Sequence, residues 1–162
     1  MGNKIFITLG SQKFQFNRLL MAMDKLCEGG IIDETVFAQT GYSDYTPSHY
    51  KYKSFLGREE FSNMIKQADI VITHGGTGAI IGAVKQGKKV IAVPRLAKYG
   101  EHVDDHQLQI VEEFDNMNFI CQCRDCDKLA RAIEVVRKNN YHSYTSNTNT
   151  IIQSIEKFIE GE

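Results

Sequence analysis

Ile70-Val-Ile-Thr-His-Gly-Gly-Thr-Gly-Ala-Ile-Ile-Gly-Ala-Val-Lys-Gln-Gly87 runs from one apolar segment to another through a turn packed with glycine. Ile70, Val71 and Ile72 read as the end of a buried strand, Thr73 to Gly78 as the turn, and Ala79 to Gln86 as a helix closed by Gly87. A strand that feeds a helix through such a turn leaves backbone N–H groups unpaired at the positive end of the helix dipole. That is an anion site, most often for phosphate. Glycine suits it because a side chain at Gly76 or Gly78 would stand where a phosphate must approach the backbone.

The same alternation extends outward in both directions. Strands are expected at 4–8, 35–40, 53–56, 69–73, 89–93 and 118–122, and helices at 16–28, 59–68, 79–86, 105–114 and 126–138. Helix one follows from the spacing of Phe16, Leu19, Leu20, Met23 and Leu26, and Asp125 is placed as the cap of helix five. A polar stretch rich in Ser, Thr and Asn follows. A last amphipathic helix is expected at about 148–160, with Ile151, Ile152, Ile155, Phe158 and Ile159 as its stripe. Strands alternating with helices imply an α/β fold, a Rossmann-like parallel sheet with helices on both faces. No internal repeat or second domain is visible, so residues 1–162 are expected to form one domain.

Composition narrows the function. The chain has 162 residues, a hydrophobic fraction of 42%, a charged fraction of 24% and a formal net charge of −1. These are ordinary values for a globular protein, and that charge gives no reason to expect a nucleic acid partner. No apolar run approaches the ~20 residues needed to cross a bilayer. The opening Lys4-Ile-Phe-Ile-Thr8 is strand-like rather than a signal peptide, so a cytoplasmic location is expected. Four cysteines fit a reducing compartment. Cys121, Cys123 and Cys126 spell C-x-C-x-x-C, but a structural zinc site needs a fourth ligand and none lies close in sequence.

In a parallel sheet of this kind, ligands bind beyond the carboxyl ends of the strands. Three polar loops lie there: Gly10-Ser-Gln12, His74-Gly-Gly-Thr-Gly78, and Arg95 through Gln107. A nicotinamide dinucleotide fold would place G-x-G-x-x-G after strand one, where this chain has Leu-Gly-Ser-Gln. No P-loop pattern occurs. Asp125-Cys-Asp127 spells D-x-D, a pattern of metal-dependent sugar transferases, yet acids at a helix start need no metal to explain them. His74, directly before the glycines, is placed in the site. His102 and His106 are spaced like a metal pair without a third ligand. No metal and no cofactor are expected.

Ile-Thr-His-Gly-Gly-Thr-Gly, Val-Ile-Ala-Val-Pro-Arg and Gly-Glu-His-Val-Asp-Asp-His-Gln together resemble the carboxyl-terminal domain of glycosyltransferase family 28. The opening Ile-Phe-Ile-Thr-Leu-Gly-Ser-Gln…Phe-Asn-Arg-Leu is similar to stand-alone versions of that domain. These are the catalytic subunits of the two-part dolichol-pathway N-acetylglucosaminyltransferase and of bacterial capsule and exopolysaccharide transferases. The loop Tyr-Gly-Glu-His-Val-Asp-Asp-His-Gln looks most like the bacterial group. The resemblance spans Lys4 to about Ile133.

The resemblance implies one half of a GT-B architecture, the half that holds a UDP-sugar donor. A membrane-bound acceptor-binding subunit would supply the other half, and the acceptor would be a lipid-linked saccharide in polysaccharide biosynthesis. The chain itself would then have no membrane span and would be recruited to the inner face of the membrane by its partner. It implies donor contacts at Gly10, Ser11, His74, Gly75, Gly76, Thr77 and Gly78. It places Asp105, His106 and Gln107 near the hexose hydroxyls. The amides of Gly76, Thr77 and Gly78 would stabilise the departing diphosphate. In an inverting reaction the general base sits on the acceptor side, so none is assigned in this chain. Relatives carry a glutamate that holds the ribose hydroxyls where this chain has Gly82. The alternative reading is therefore a non-catalytic nucleotide-sugar-binding or regulatory domain of the same fold. For the last helix two readings stand: packing on its own sheet, or reaching the acceptor subunit.

Overall fold

The computed structural model describes residues 3–143, with Gln153 and Lys157 further on. Of the expected amphipathic helix at about 148–160 only Gln153 and Lys157 are described, both helical and exposed, and its apolar stripe lies outside the described residues. Six strands form one parallel sheet: β1 (Lys4–Thr8), β2 (Thr35–Gln39), β3 (Lys51–Lys53), β4 (Ile70–His74), β5 (Lys89–Val93) and β6 (Cys121–Gln122). Their order is β3-β2-β1-β4-β5-β6. Among the described residues four helices connect them, α1 (Asn17–Glu28), α2 (Arg58–Gln67), α3 (Thr77–Lys85) and α4 (His106–Asn116), and α5 (Leu129–Lys138) follows β6.

Alternation along the strands divides the core in two. Ile5 and Ile7 of β1, and Leu9 directly after it, join Leu19, Leu20 and Met23 of α1 and Ile133 and Val136 of α5 on one face. Phe6 points the other way, into a cluster with Ile65 of α2, Ile80 and Val84 of α3, and Val111 and Phe114 of α4. β4 is buried at every position, as a central strand of a sheet covered on both faces must be. This is the expected Rossmann-like α/β architecture.

Four boundary differences from the expectation have a local reason; α4 also runs two residues further, to Asn116, and other ends shift by one. β3 is Lys51–Lys53, because the chain needs Ser54 to Gly57 to reach the start of α2. α3 begins at Thr77, with Gly76 as N-cap and Ile80 N donating to Gly76 O at 3.1 Å, so the last glycine of the turn, Gly78, is already helical. β6 starts only at Cys121 because Asn118, at a φ of 62°, reverses the chain after α4. Asp125 caps a short 3-10 turn (Cys126–Lys128) through Asp127 N, and α5 starts after it.

Candidate functional site

β1 and β4 are neighbours, paired from Ile5↔Ile70 to Thr8↔Thr73. β1 leads to α1 on one face and β4 to α3 on the other. The loops beyond them therefore part, and a crevice opens at the point where the strand order reverses.

His74 is the hub of this crevice. Gly10 leaves β1 at a φ of 71°, and a Cβ on it would stand 2.6 Å from His74 Nε2. A Cβ on Gly76 would stand 2.4 Å from His74 Cε1. The imidazole is thus wedged between two bare backbones. Gly75 has no room either, since a Cβ there would lie 2.8 Å from Val111 and 2.9 Å from Gln107. The His74 ring by itself therefore requires glycine at position 76, whether or not a phosphate also approaches there. Gly78 is different: it is exposed, and nothing lies within 4 Å of where its Cβ would be.

Gln107 braces the hub from beneath. It is buried, its Oε1 accepts from Gly75 N and from Arg95 N at 3.0 Å each, and its Nε2 lies 3.2 Å from His74 Nδ1. The carboxamide nitrogen can only donate, so Nδ1 accepts and the ring proton resides on Nε2. Burial pushes the His74 pKa down to about 4, and the positive charge of Arg95 adds to the effect. The imidazole is neutral at pH 7.

Above this base the first turn of α3 is empty. The amides of Thr77, Gly78 and Ala79 have no acceptor among the described residues, and the turn contains no acid. Other helix starts are served in part: Gln15 accepts from the first amide of α1 and Asp104 from that of α4, while α2 carries Glu59 and Glu60 in its first turn, with Glu60 accepting from the N-cap amide of Gly57. An unoccupied helix start in a crevice binds anions through its free amides and its dipole.

The supports of the two loops come from residues that the sequence pattern did not single out. Arg95 is buried and donates to four backbone carbonyls: Leu9 at 2.6 Å, Phe14 and Glu101 at 3.2 Å, and Gln15 at 3.4 Å. Burial lowers its pKa to about 10, against the attraction of Glu101. The buried Glu101 carboxylate accepts from Arg18 Nε and Nη2 at 3.0 and 3.1 Å and from Leu96 N at 3.0 Å. Gln39 accepts from Thr8 Oγ1 and Leu9 N and donates to the carbonyls of Gly10 and Ser54. The available signal is a polar residue closing an apolar strand, Gln39 at the end of β2 and Arg95 two residues after β5.

The expected site residues thus fall into three groups. Gly10, His74, Gly75, Gly76 and Gln107 form one packed unit, in which Gln107 faces inward. Thr77 and Gly78 present their amides to solvent. Ser11, Asp105 and His106 are exposed, and no hydrogen bond joins them to the glycine turn among the described residues. Asp105 accepts from Ala97 N at 2.8 Å, and Asp104 lies between His102 Nδ1 at 3.2 Å and His106 Nδ1 at 3.6 Å. Among the described residues no three His, Cys, Asp or Glu side chains gather where they could hold a metal. Cys123 and Cys126 are buried thiols whose pKa values burial pushes up to about 12 and about 11. No helix among the described residues is long and apolar enough to cross a membrane.

The chain is similar to the UDP-N-acetylglucosamine transferase subunit ALG13 of Candida glabrata, at 32% identity over 96 residues. That match covers 56% of this chain and 46% of the yeast protein. Human ALG13 is 25% identical over 122 residues, which cover 73% of this chain and 9% of the human protein. The chain thus spans less than half the length of these curated relatives. In fold it matches a solution structure of ALG13 at a TM-score of 0.58 and 16% identity, covering 98% of this chain and 95% of that one. MurG of Acinetobacter baumannii matches at a TM-score of 0.60 and 16% identity, over 97% of this chain and half of that one. The calicheamicin glycosyltransferase CalG4 matches at 0.59 and 16% identity, over 99% of this chain and 38% of that one. The sequence profile of the glycosyltransferase family 28 C-terminal domain matches residues 4–161, and the chain belongs to that family.

Proposed function

We propose that this chain is the donor-binding subunit of a two-part inverting glycosyltransferase. It takes a hexose from a UDP-sugar and, with a membrane-bound acceptor-binding subunit, transfers it to a lipid-linked saccharide at the cytoplasmic face of a membrane. The matched relatives are described as UDP-N-acetylglucosamine transferase subunits, which supports a UDP-sugar donor and assembly with a partner. Support for a capsule or exopolysaccharide setting comes from the loop 99–107 alone.

One observation carries the reading: the vacant start of α3, beside the open space at Gly78, at the crevice of the sheet. As the anomeric carbon–oxygen bond breaks, negative charge grows on the departing diphosphate. The fixed amides of Thr77, Gly78 and Ala79 would meet that charge without reorganising. His74, neutral and locked beneath, adds no charge and holds the turn in shape. Ser11, Asp105 and His106, exposed on the same edge, are the side chains assigned to contact the donor. The acceptor-side base belongs to the partner.

The test is titration with UDP and with other nucleoside diphosphates, alone and with the acceptor-binding subunit, followed by turnover of a panel of UDP-sugars by the pair. Selective UDP binding with turnover supports the reading, and absence of any nucleotide binding refutes it. Gly82, where relatives carry the ribose-holding glutamate, favours a second reading as a non-catalytic binding domain. Tight UDP-sugar binding with no turnover in the assembled pair would select it.

A further inference from the structure

Beside Gly78 a cavity of about 280 Å³ opens between α2 and α3. Its wall contains no acid. Arg58, Ser62 and Gln86 supply its polar side chains, Phe61 an aromatic face, and Gly78 and Gly82 two gaps where side chains would otherwise stand. A Cβ on Gly82 would meet nothing within 4 Å. Arg58 forms no ion pair or side-chain hydrogen bond among the described residues, while the nearby acid Glu60 is turned away to Lys53 and Gly57 N. At the strand end Thr8 lines the cavity, and its register partner Thr73 has a buried hydroxyl without a hydrogen-bond partner. The space is thus a mainly apolar recess with a few polar side chains at its wall, open and bordered by Gly78 and Ala79 of the first turn of α3.

Resting on the donor-binding reading above, we propose that Arg58 is the residue that fixes the ribose of the donor nucleotide in this cavity. A nucleotide whose diphosphate lies on the α3 amides must send its sugar along one side of that helix start, and this cavity is the recess there. Its wall dictates the hydrogen-bond polarity. A guanidinium only donates, so the ribose oxygens accept. A carboxylate in the same place would accept from the ribose hydroxyls instead. Gly82 leaves the volume into which the ribose fits.

Calorimetry with UDP, 2′,3′-dideoxy-UDP and inorganic diphosphate tests this on the full chain. Wild type should bind UDP about 10- to 100-fold tighter than the dideoxy analogue, the range for a charged hydrogen bond. Arg58→Met keeps the apolar stem and should bring that ratio close to one, with affinity for diphosphate little changed. Gly82→Leu fills the cavity from a helical position that gains propensity, and should weaken UDP but not diphosphate. An unchanged ratio in Arg58→Met, or undiminished UDP binding by Gly82→Leu, overturns the assignment while leaving the phosphate site standing. Failure of wild type to bind either UDP or diphosphate overturns both.

Discussion

Acidification should destabilise this protein through His74 before any carboxylate is affected. The imidazole is 5% exposed, and its pKa is lowered to about 4 in the fold. In the unfolded chain it returns to about 6.5. Between those values the unfolded state binds a proton that the folded state refuses, so the stability present above pH 6.5 is lost as pH falls towards 4. At pH 5 the loss from this one group is about 2 kcal/mol, from the ratio of the two binding polynomials. That corresponds to a fall in Tm of about 4–8 °C for a domain of this size. Asp24 behaves differently. Burial would raise its pKa, but the Tyr45 hydroxyl and the amides of Ser48 and His49 overcome this and hold it low. Its contribution, present at neutral pH, is lost only below its ordinary range near 4, outside the window of His74. Thermal unfolding at pH 7, 6 and 5 measures the slope. In His74→Asn the amide oxygen can replace Nδ1 as acceptor for Gln107, so this variant should lose most of the pH dependence. Identical slopes in wild type and His74→Asn would refute the buried neutral imidazole, as would an imidazole proton resonance titrating near pH 6.5.

Three further outcomes are expected. Gly78→Val should abolish binding of UDP and diphosphate with a melting temperature within a few degrees of wild type, whereas Gly76→Val should itself lower the melting temperature, because its Cβ would collide with His74; equal stability of the two variants would contradict the packing described. Glu101→Gln removes the buried countercharge of Arg18 and Arg95 and should cost about 3–5 kcal/mol in denaturant unfolding, and a loss below 1 kcal/mol would show that the network is dispensable. Activity of the assembled pair should survive excess chelator, since amides and a helix dipole meet the diphosphate charge; complete loss reversed by manganese or magnesium would reassign Asp125 and Asp127 as ligands.

The parts of the fold legible in the sequence are those written within a few residues. β4, its glycine turn and α3 stand in one stretch of eighteen residues, Ile70 to Gly87. β1 and β5 are each a short apolar run with a clear stop. Boundaries failed where one residue serves two elements. Gly76 is both turn and N-cap, and Asn118 ends α4 in a left-handed conformation where a strand was expected. At the site, glycine was legible as a requirement for space, but what fills the space was not. A bare Cα can admit a ligand or a neighbouring ring, and only the three-dimensional position of His74 separates Gly76 from Gly78.

The supports were illegible for a deeper reason. Arg95 reaches Leu9 across 86 positions, Glu101 reaches Arg18 across 83, and Gln107 reaches Gly75 across 32. No local pattern records such pairs. Their arrangement nevertheless explains why the site can be empty of side chains. An anion site made of amides needs its backbone held from behind, because any acceptor placed in front would occupy it. Arg95, Gln107 and Gln39 satisfy carbonyls and amides on the inner side of the loops and leave the outer amides of Thr77, Gly78 and Ala79 unpaired. The buried ions and amides beneath and the vacancy above are therefore two halves of one arrangement. Weakening the first should loosen the second before the sheet itself gives way.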